Sequence, residues 1–145
     1  MLIYPEYPIR LRKNKDATEV WDIIRKQWIQ LTPEELVRQH FINYLIQEKK
    51  YPIECILVEK ELAVFNTQKR FDVAIIDKNQ NFLLVAECKA PSVNLDEKVI
   101  QQILTYNLVL NAQYLVITNG LKQFVFKNDN NNWIEINDVV IFNQL

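Results

Sequence analysis

Glycine is almost absent from this sequence of 145 residues, which contains only Gly120. Phosphate-binding loops and dinucleotide-binding turns need several glycines at fixed spacing, because the backbone must approach the phosphates closely. The sequence therefore excludes these nucleotide sites, and we expect no nucleotide cofactor. Cysteine and histidine are also scarce, with Cys55, Cys88 and His40 as the whole set. These residues are too few for a structural zinc site, and both cysteines lie in apolar runs, which indicates free thiols.

The sequence also lacks a membrane-spanning run and an excess of positive charge. No apolar stretch is long enough to cross a bilayer and no signal peptide is recognisable, so we expect a cytoplasmic protein with no membrane partner. The formal net charge is −1, unlike the basic surface of a typical nucleic-acid-binding module. Basic residues nevertheless cluster at 10–13 and 122–127, and a bound divalent cation would add local positive charge. Charge alone therefore does not exclude a nuclease.

The length and the hydrophobic content fit a single domain over 1–145, with an N-terminal extension of about 1–30. Hydrophobic residues make up 49% of the chain, which is enough to form a core without disulfides or a structural metal. Aromatic residues alternate with arginine and lysine in the first 31 residues. A short helix or a strand-turn unit is expected there, near 18–28.

Hydrophobic periodicity and turn residues predict two helices and a mixed sheet. The first helix is predicted over 32–48, with Thr32 as N-cap, Pro33 at the first helical position and Glu35 completing a capping box. The second helix fits 95–110. The strands are predicted at 55–60, 70–76, 82–88, 114–118 and 123–127, with a further edge strand at 133–136. This order predicts an α/β fold with a central mixed β-sheet flanked by α-helices.

Three polar side chains stand out on two adjacent predicted strands. Asp72 interrupts an apolar strand, where an unpaired carboxylate is costly. Glu87 and Lys89 point the same way at the end of the next strand, and the hairpin brings Asp72 toward them. Two adjacent carboxylates repel unless a proton or a metal ion separates them, and Mg²⁺ takes oxygen ligands from both. The pattern fits metal-dependent phosphodiester hydrolysis, in which Lys89 orients a water or stabilises phosphate charge. A salt bridge with Lys89 and Arg70 is the structural alternative.

The two helices carry further candidate residues. Glu34 lies at the centre of the predicted buried stripe of the first helix, whereas Glu35 falls off that stripe. Glu34 either serves the site or only interacts favourably with the helix N-terminus. Arg38 lies near the same stripe, where pairing with Glu34 or a core carboxylate is favoured over a phosphate contact. Gln102 and Tyr106 are four residues apart on the second helix and share a face, so they either contact a phosphate or a base, or form an ordinary helix flank.

The segments that carry these residues resemble the N-terminal nuclease domain of type I restriction enzyme R subunits, within the PD-(D/E)xK superfamily. The resemblance covers about residues 20–127. It rests on the segments that begin at Thr32 (TPEELVRQHF), Arg70 (RFDVAI), Val85 (VAECKAP) and Val116 (VITNG). This resemblance implies a restriction-endonuclease-like fold and Mg²⁺-dependent endonuclease cleavage of DNA, with Mn²⁺ as a substitute metal.

The resemblance also implies roles for individual residues of the two central strands. Asp72 and Glu87 match the metal-binding carboxylates of the superfamily, and the backbone carbonyl of Cys88 is the expected third protein ligand. Lys89 matches the catalytic lysine. Phe71 stands where the usual pattern has proline, which is a tolerated variation.

The helices take their expected roles from the same resemblance. Gln102 and Tyr106 are similar to the Gln-x-x-x-Tyr element of the RecB-like branch, and are expected to contact DNA. Glu34 or Glu35 would match the acidic residue of the first helix, and Glu34 is the favoured choice as a catalytic residue.

R subunits continue into a helicase motor, whereas this sequence has no Walker motif. The expected partners are DNA and a homodimer mate or restriction-system protein that adds DNA-binding surface. Edge strands at 133–142 would suit pairing across a dimer. The alternatives are a catalytically inactive nucleic-acid-binding or scaffold module with the same fold, and a purely structural α/β domain.

Overall fold

The first three strands form a small antiparallel sheet that precedes the first helix. The computed structural model describes residues 1–64 and 67–144, with side chains outside 59–70 and 144. The strands are β1 (Leu11–Asn14), β2 (Ala17–Asp22) and β3 (Gln27–Gln30), paired in that order. Alternation along β2 leaves Val20 and Asp22 fully buried on one face. The strand alternative near 18–28 is therefore confirmed. β1 was not predicted, because its four residues are all exposed and show no apolar alternation.

Helix α1 spans Pro33–Gln47, as the capping residues predict. The hydroxyl of Thr32 accepts a hydrogen bond from the backbone N–H of Glu35 at 3.0 Å, and Pro33 occupies the first turn, where its missing N–H costs nothing. The apolar stripe of α1 packs on the central sheet. It consists of Val37, Phe41, Ile42 and Leu45.

Six strands form the central mixed sheet. They are β4 (Ile56–Val64), β5 (Thr67–Ile76), β6 (Phe82–Cys88), β7 (Tyr114–Thr118), β8 (Gln123–Asp129) and β9 (Asn132–Ile136), in that spatial order. All neighbours are antiparallel except β6 and β7, which are parallel. Helix α2 (Glu97–Asn107) lies in the connection between these two strands.

Helices α1 and α2 cover opposite faces of the central sheet. Val73 and Ala86 lie in the cluster under α1, whereas Ala74 and Val85 lie in the cluster that includes Leu104 of α2. Side chains that alternate along β5 and β6 thus serve two separate cores. The six-stranded mixed sheet between two helices confirms the predicted α/β class and fits a restriction-endonuclease-like fold.

Some boundaries differ from the sequence prediction. Helix α2 ends at Asn107, because a 3-10 turn over Leu108–Leu110 and a left-handed Asn111 follow it. The edge strand β9 ends at Ile136 as predicted, whereas the wider edge region expected at 133–142 is not strand throughout, because Phe142–Gln144 forms another 3-10 turn. Neither helix in the described ranges has the length and apolar character of a membrane span.

Candidate active site

Asp72 and Glu87 lie opposite each other where the β5–β6 ladder ends. The last registered pair is Val73 with Ala86, so the next residues along the two strands face each other. The Oδ2 atom of Asp72 accepts a hydrogen bond from the backbone N–H of Cys88 at 2.8 Å. This bond fixes the Asp72 side chain across the strand end and holds it beside Glu87.

The electrostatics of Glu87 reflect this proximity. Burial raises the pKa of Glu87 from 4.5 to about 7, and the neighbouring Asp72 carboxylate adds to the rise. The Lys89 ammonium and a hydrogen bond from the Asn107 side chain oppose it. Glu87 therefore holds a proton more readily than an ordinary carboxyl group, and a cation bound there would compete with that proton.

A cavity of about 280 Å³ opens beside this pair. Its lining consists of Glu87, Lys89, Gln102, Ile103, Tyr106 and Asn107. The end of β6 and one face of α2 thus bring four of the predicted residues to the same space. Asp72 adjoins the cavity through its contact with Glu87.

The sequence predicted that Glu34 lies in the buried stripe of the first helix and that Glu35 lies outside it, and this prediction was wrong. The side chain of Glu34 is 45% exposed, whereas that of Glu35 is 6% exposed. Apolar residues alone define the stripe used in the prediction, but the N-terminal sheet covers an additional polar side of α1. Arg25 of the turn after β2 contacts Glu35 at 3.1 Å, and Gln39 contacts Asp22 at 3.2 Å.

Residues 33–139 match the family model for the type I restriction enzyme R protein N terminus. The chain belongs to this family. The matched region of this R-protein N-terminal domain runs from the first residue of α1 past the end of β9, and it contains Asp72, Glu87, Lys89, Gln102 and Tyr106. The three strands of the N-terminal sheet precede it. A comparison with curated protein sequences finds no match.

A chain of ion pairs connects the N-terminal sheet of this R-protein domain to Asp72 on β5. Asp22 pairs with Arg25 at 2.6 Å, and Arg25 pairs with Glu35 at 3.1 Å. Glu35 pairs with Arg38 at 2.8 Å, and Arg38 reaches Oδ1 of Asp72 at 3.5 Å. The predicted pairing of Arg38 with Glu34 or a core carboxylate is confirmed, since Arg38 also contacts Glu34 at 3.4 Å. The side chain of Arg70, named in the salt-bridge alternative, lies outside the described residues.

Sequence reasoning missed Asn107, the last residue of α2. Its side chain is buried, donates a hydrogen bond to the carbonyl of Ile103 at 2.9 Å and contacts Glu87. Its Oδ1 atom is buried with no hydrogen-bond partner among the described residues. The sequence did contain a signal for this residue. Asn107 is a polar residue four positions after Ile103, and it therefore lies on the apolar stripe of the second predicted helix.

The donor set at this site fits a hard divalent cation. The described residues contain no group of three or more histidine, cysteine, aspartate or glutamate side chains placed to share a metal. Two carboxylates in contact, one of them with a raised pKa, are suited to Mg²⁺, which uses one or two carboxylates and keeps several waters. Asp72 and Glu87 would hold such an ion, and the Cys88 carbonyl stays a predicted third ligand.

Proposed function

We propose that this protein is a Mg²⁺-dependent endonuclease that hydrolyses DNA phosphodiester bonds in a restriction system. One observation carries the proposal: Asp72 and Glu87 face each other at the strand end, and Lys89 shares a cavity with Glu87. Membership in the type I restriction enzyme R protein N terminus family supports DNA as the substrate. Mn²⁺ is the expected substitute metal, and no nucleotide is required.

In the proposed reaction, the oxygen of a water molecule attacks phosphorus and releases a proton to solvent. One P–O ester bond breaks, and the leaving sugar oxygen takes up a proton, which yields a phosphate monoester and a free hydroxyl. Asp72 and Glu87 would hold Mg²⁺, which when bound would supply Lewis-acid activation of the phosphate and a lowered pKa for the attacking water. Asp72 is held for this task by the Cys88 N–H, and Glu87 by the hydrogen bond from Asn107. The Lys89 ammonium lies close enough to lower the pKa of Glu87, which supports a role for Lys89 in orienting the water and stabilising charge on the phosphate.

Helix α2 provides the expected DNA contacts. Gln102 and Tyr106 line the cavity beside Glu87 and Lys89, and both are exposed. The amide of Gln102 can donate a hydrogen bond to a phosphate or to a base, and the ring of Tyr106 can stack on a sugar or base. We assign the acidic residue of the first helix to Glu34 as a weaker candidate, because its exposed carboxylate pairs with Arg38 beside Asp72.

A cleavage assay tests this proposal. Supercoiled plasmid and single-stranded circles are incubated with the protein in Mg²⁺, in Mn²⁺ and in EDTA. We expect metal-dependent cleavage by the wild type and a loss of at least ~100-fold in Asp72→Ala and Lys89→Ala, because positioned catalytic groups typically contribute this much or more. Lys78→Ala is the matched control, since Lys78 is exposed in the turn at the other end of β6. Cleavage that persists in both site variants would refute the proposal.

The second candidate function is a catalytically inactive nucleic-acid-binding or scaffold module. The contact between Arg38 and Asp72 favours it, because a guanidinium beside this carboxylate competes with a metal ion for the same charge. Binding of Mn²⁺ separates the two candidates. Stoichiometric Mn²⁺ binding that is lost in Asp72→Asn supports the nuclease, whereas absence of binding together with absence of cleavage supports the inactive module.

A further inference from the structure

One face of the N-terminal sheet carries two tryptophans and two arginines. Trp21 and Trp28 are paired across β2 and β3, and their rings lie edge to face with centroids 5.4 Å apart. The guanidinium carbon of Arg12 lies 4.3 Å from the centre of the Trp28 ring, and that of Arg10 lies 5.2 Å from it. Register and alternation place these residues opposite the buried face that contains Val20. We call this surface the tryptophan face.

The tryptophan face belongs to a basic segment of an acidic chain. Residues 10–30 contain six arginines and lysines and three aspartates and glutamates, a net charge of +3, whereas the whole chain has −1. One of the three acids, Asp22, is buried and paired with Arg25, and another, Glu19, pairs with Arg12. Lys13, Lys15 and Lys26 are also exposed in this segment, although Lys13 donates a hydrogen bond to Thr18 on the opposite side of the sheet. The positive charge that a DNA-binding protein needs is therefore concentrated here.

The chemistry of this face suits unpaired bases. Indole rings and guanidinium planes stack on base faces, and neighbouring cations bind the phosphates between them. A base offers its face only where it is not already stacked within a duplex. The side chain of Arg12 is 44% exposed, and both tryptophans are partly exposed, so the stack is open to a ligand at its surface.

A second cavity lies between this face and the strand end that carries the carboxylate pair. It measures about 520 Å³ and extends from Gln30, at the end of β3, past Glu34 to Ala90. Its lining includes Arg38, which contacts Asp72, but neither tryptophan and neither Glu87 nor Lys89. Gln30 is two residues from Trp28 on the same face of its strand, and Ala90 follows Lys89 directly. The exposed carboxylate in this cavity, Glu34, pairs with Arg38, which reduces its repulsion toward a phosphate.

We infer that the tryptophan face binds single-stranded DNA and that the strand continues through the second cavity to the carboxylate pair. The path of the strand toward the carboxylate pair rests on the proposed nuclease function. Binding of single-stranded DNA at the tryptophan face does not depend on catalysis. It gives the domain a docking surface outside the region matched by the family model, and it makes a strand with unpaired bases the preferred substrate.

Binding is measured by the anisotropy of a labelled thymidine 20-mer in EDTA, so that no cleavage occurs. We expect Trp28→Ala to weaken binding roughly 5- to 150-fold, the range found for the loss of one base–aromatic stack. The double variant Arg10→Gln, Arg12→Gln keeps both tryptophans. It therefore tests the face even if Trp28→Ala impairs folding. It should weaken binding and reduce the slope of log affinity against log salt by about 1.4, because each phosphate contact to a single strand contributes roughly 0.7. Lys78→Gln is the control with one exposed cation removed elsewhere.

A spectroscopic readout locates the DNA. In a Trp133→Phe background, Trp21 and Trp28 are the remaining tryptophans, and stacking of bases should quench their fluorescence upon titration with the 20-mer. The inference is overturned if the wild type does not bind the 20-mer, if the face variants bind it as well as wild type, or if a duplex of equal length binds more tightly. Binding that depends on the face without Mg²⁺-dependent cleavage would refute the proposed function alone. Normal cleavage by face variants with unchanged affinity would refute this inference alone.

Discussion

Replacing Glu87 by glutamine should stabilise the metal-free protein at alkaline pH. A glutamine at this position resembles the protonated form of Glu87, since it can accept the hydrogen bond from Asn107 and donate one to Asp72. The pKa of Glu87 in the folded wild-type protein, about 7, lies above the ordinary value of 4.5. The stability associated with the bound proton is therefore fully present below pH 4.5 and is lost as the pH rises from 4.5 through 7.

The magnitude follows from the difference between these two pKa values. Each tenfold change in the ionisation constant corresponds to about 1.4 kcal/mol, so ionised Glu87 destabilises the fold by at most ~3 kcal/mol at pH 8. Relaxation around the carboxylate reduces this figure, and we expect Glu87→Gln to raise the free energy of unfolding by about 1–3 kcal/mol at pH 8. At pH 5 the two proteins should differ by less than ~1 kcal/mol, because folded Glu87 is then protonated.

Urea unfolding in EDTA at pH 5 and pH 8 measures both values. Glu135→Gln is the matched control, because Glu135 is exposed on β9 and its replacement should change stability by less than ~0.5 kcal/mol. With Mn²⁺ in place of EDTA at pH 8, the order should reverse, since only the wild type keeps both carboxylates for the ion. Equal stability of wild type and Glu87→Gln at pH 8, or an equal difference at both pH values, would refute the argument that Asp72 and burial hold a proton on Glu87.

Two further substitutions test how α1 supports the site. Arg38→Ala should lower the free energy of unfolding by about 3–5 kcal/mol, because it removes the buried partner of Glu35 and Asp72. Urea unfolding measures this loss, and a value below ~1 kcal/mol would contradict a stabilising role for the buried ion pairs. Thr32→Ala should lower the free energy of unfolding by about 0.5–2 kcal/mol, because the N-cap hydrogen bond is lost, whereas Thr32→Ser should stay near the wild-type value. Equal losses of stability in both variants, measured by thermal unfolding, would contradict the capping argument.

The parts of the fold that follow from local rules were predictable. Thr32 and Pro33 fix the start of α1 through their own backbone and hydroxyl chemistry, so the helix begins where the sequence indicates. Strand β6 spans Phe82–Cys88 as predicted, because the turn residues before it and Pro91 after it limit its length. The shared position of Glu87 and Lys89 follows from the same alternation.

The residues that were wrongly placed depend on partners distant in sequence. Glu35 is buried because Arg25 and Arg38 compensate its charge, and no helical periodicity contains that information. Asn107 was overlooked for a related reason, since its contact with Glu87 joins the end of a helix to a separate strand. Apolar periodicity identifies surfaces that avoid water, but it does not identify polar groups that are buried because they satisfy one another.

The ion-pair chain from Asp22 to Asp72 limits where the protein can be truncated to give a shorter fragment. A fragment that begins at residue 33, where the family match begins, would lose Asp22 and Arg25 and leave the buried Glu35 with one arginine fewer. Glu35 would then rely more on Arg38, which also contacts Glu34 and Asp72, and the contact of Arg38 with Asp72 would change. Truncation at a boundary drawn from similarity would thus alter the charge environment of β5, which carries Asp72, without removing a single residue from that strand.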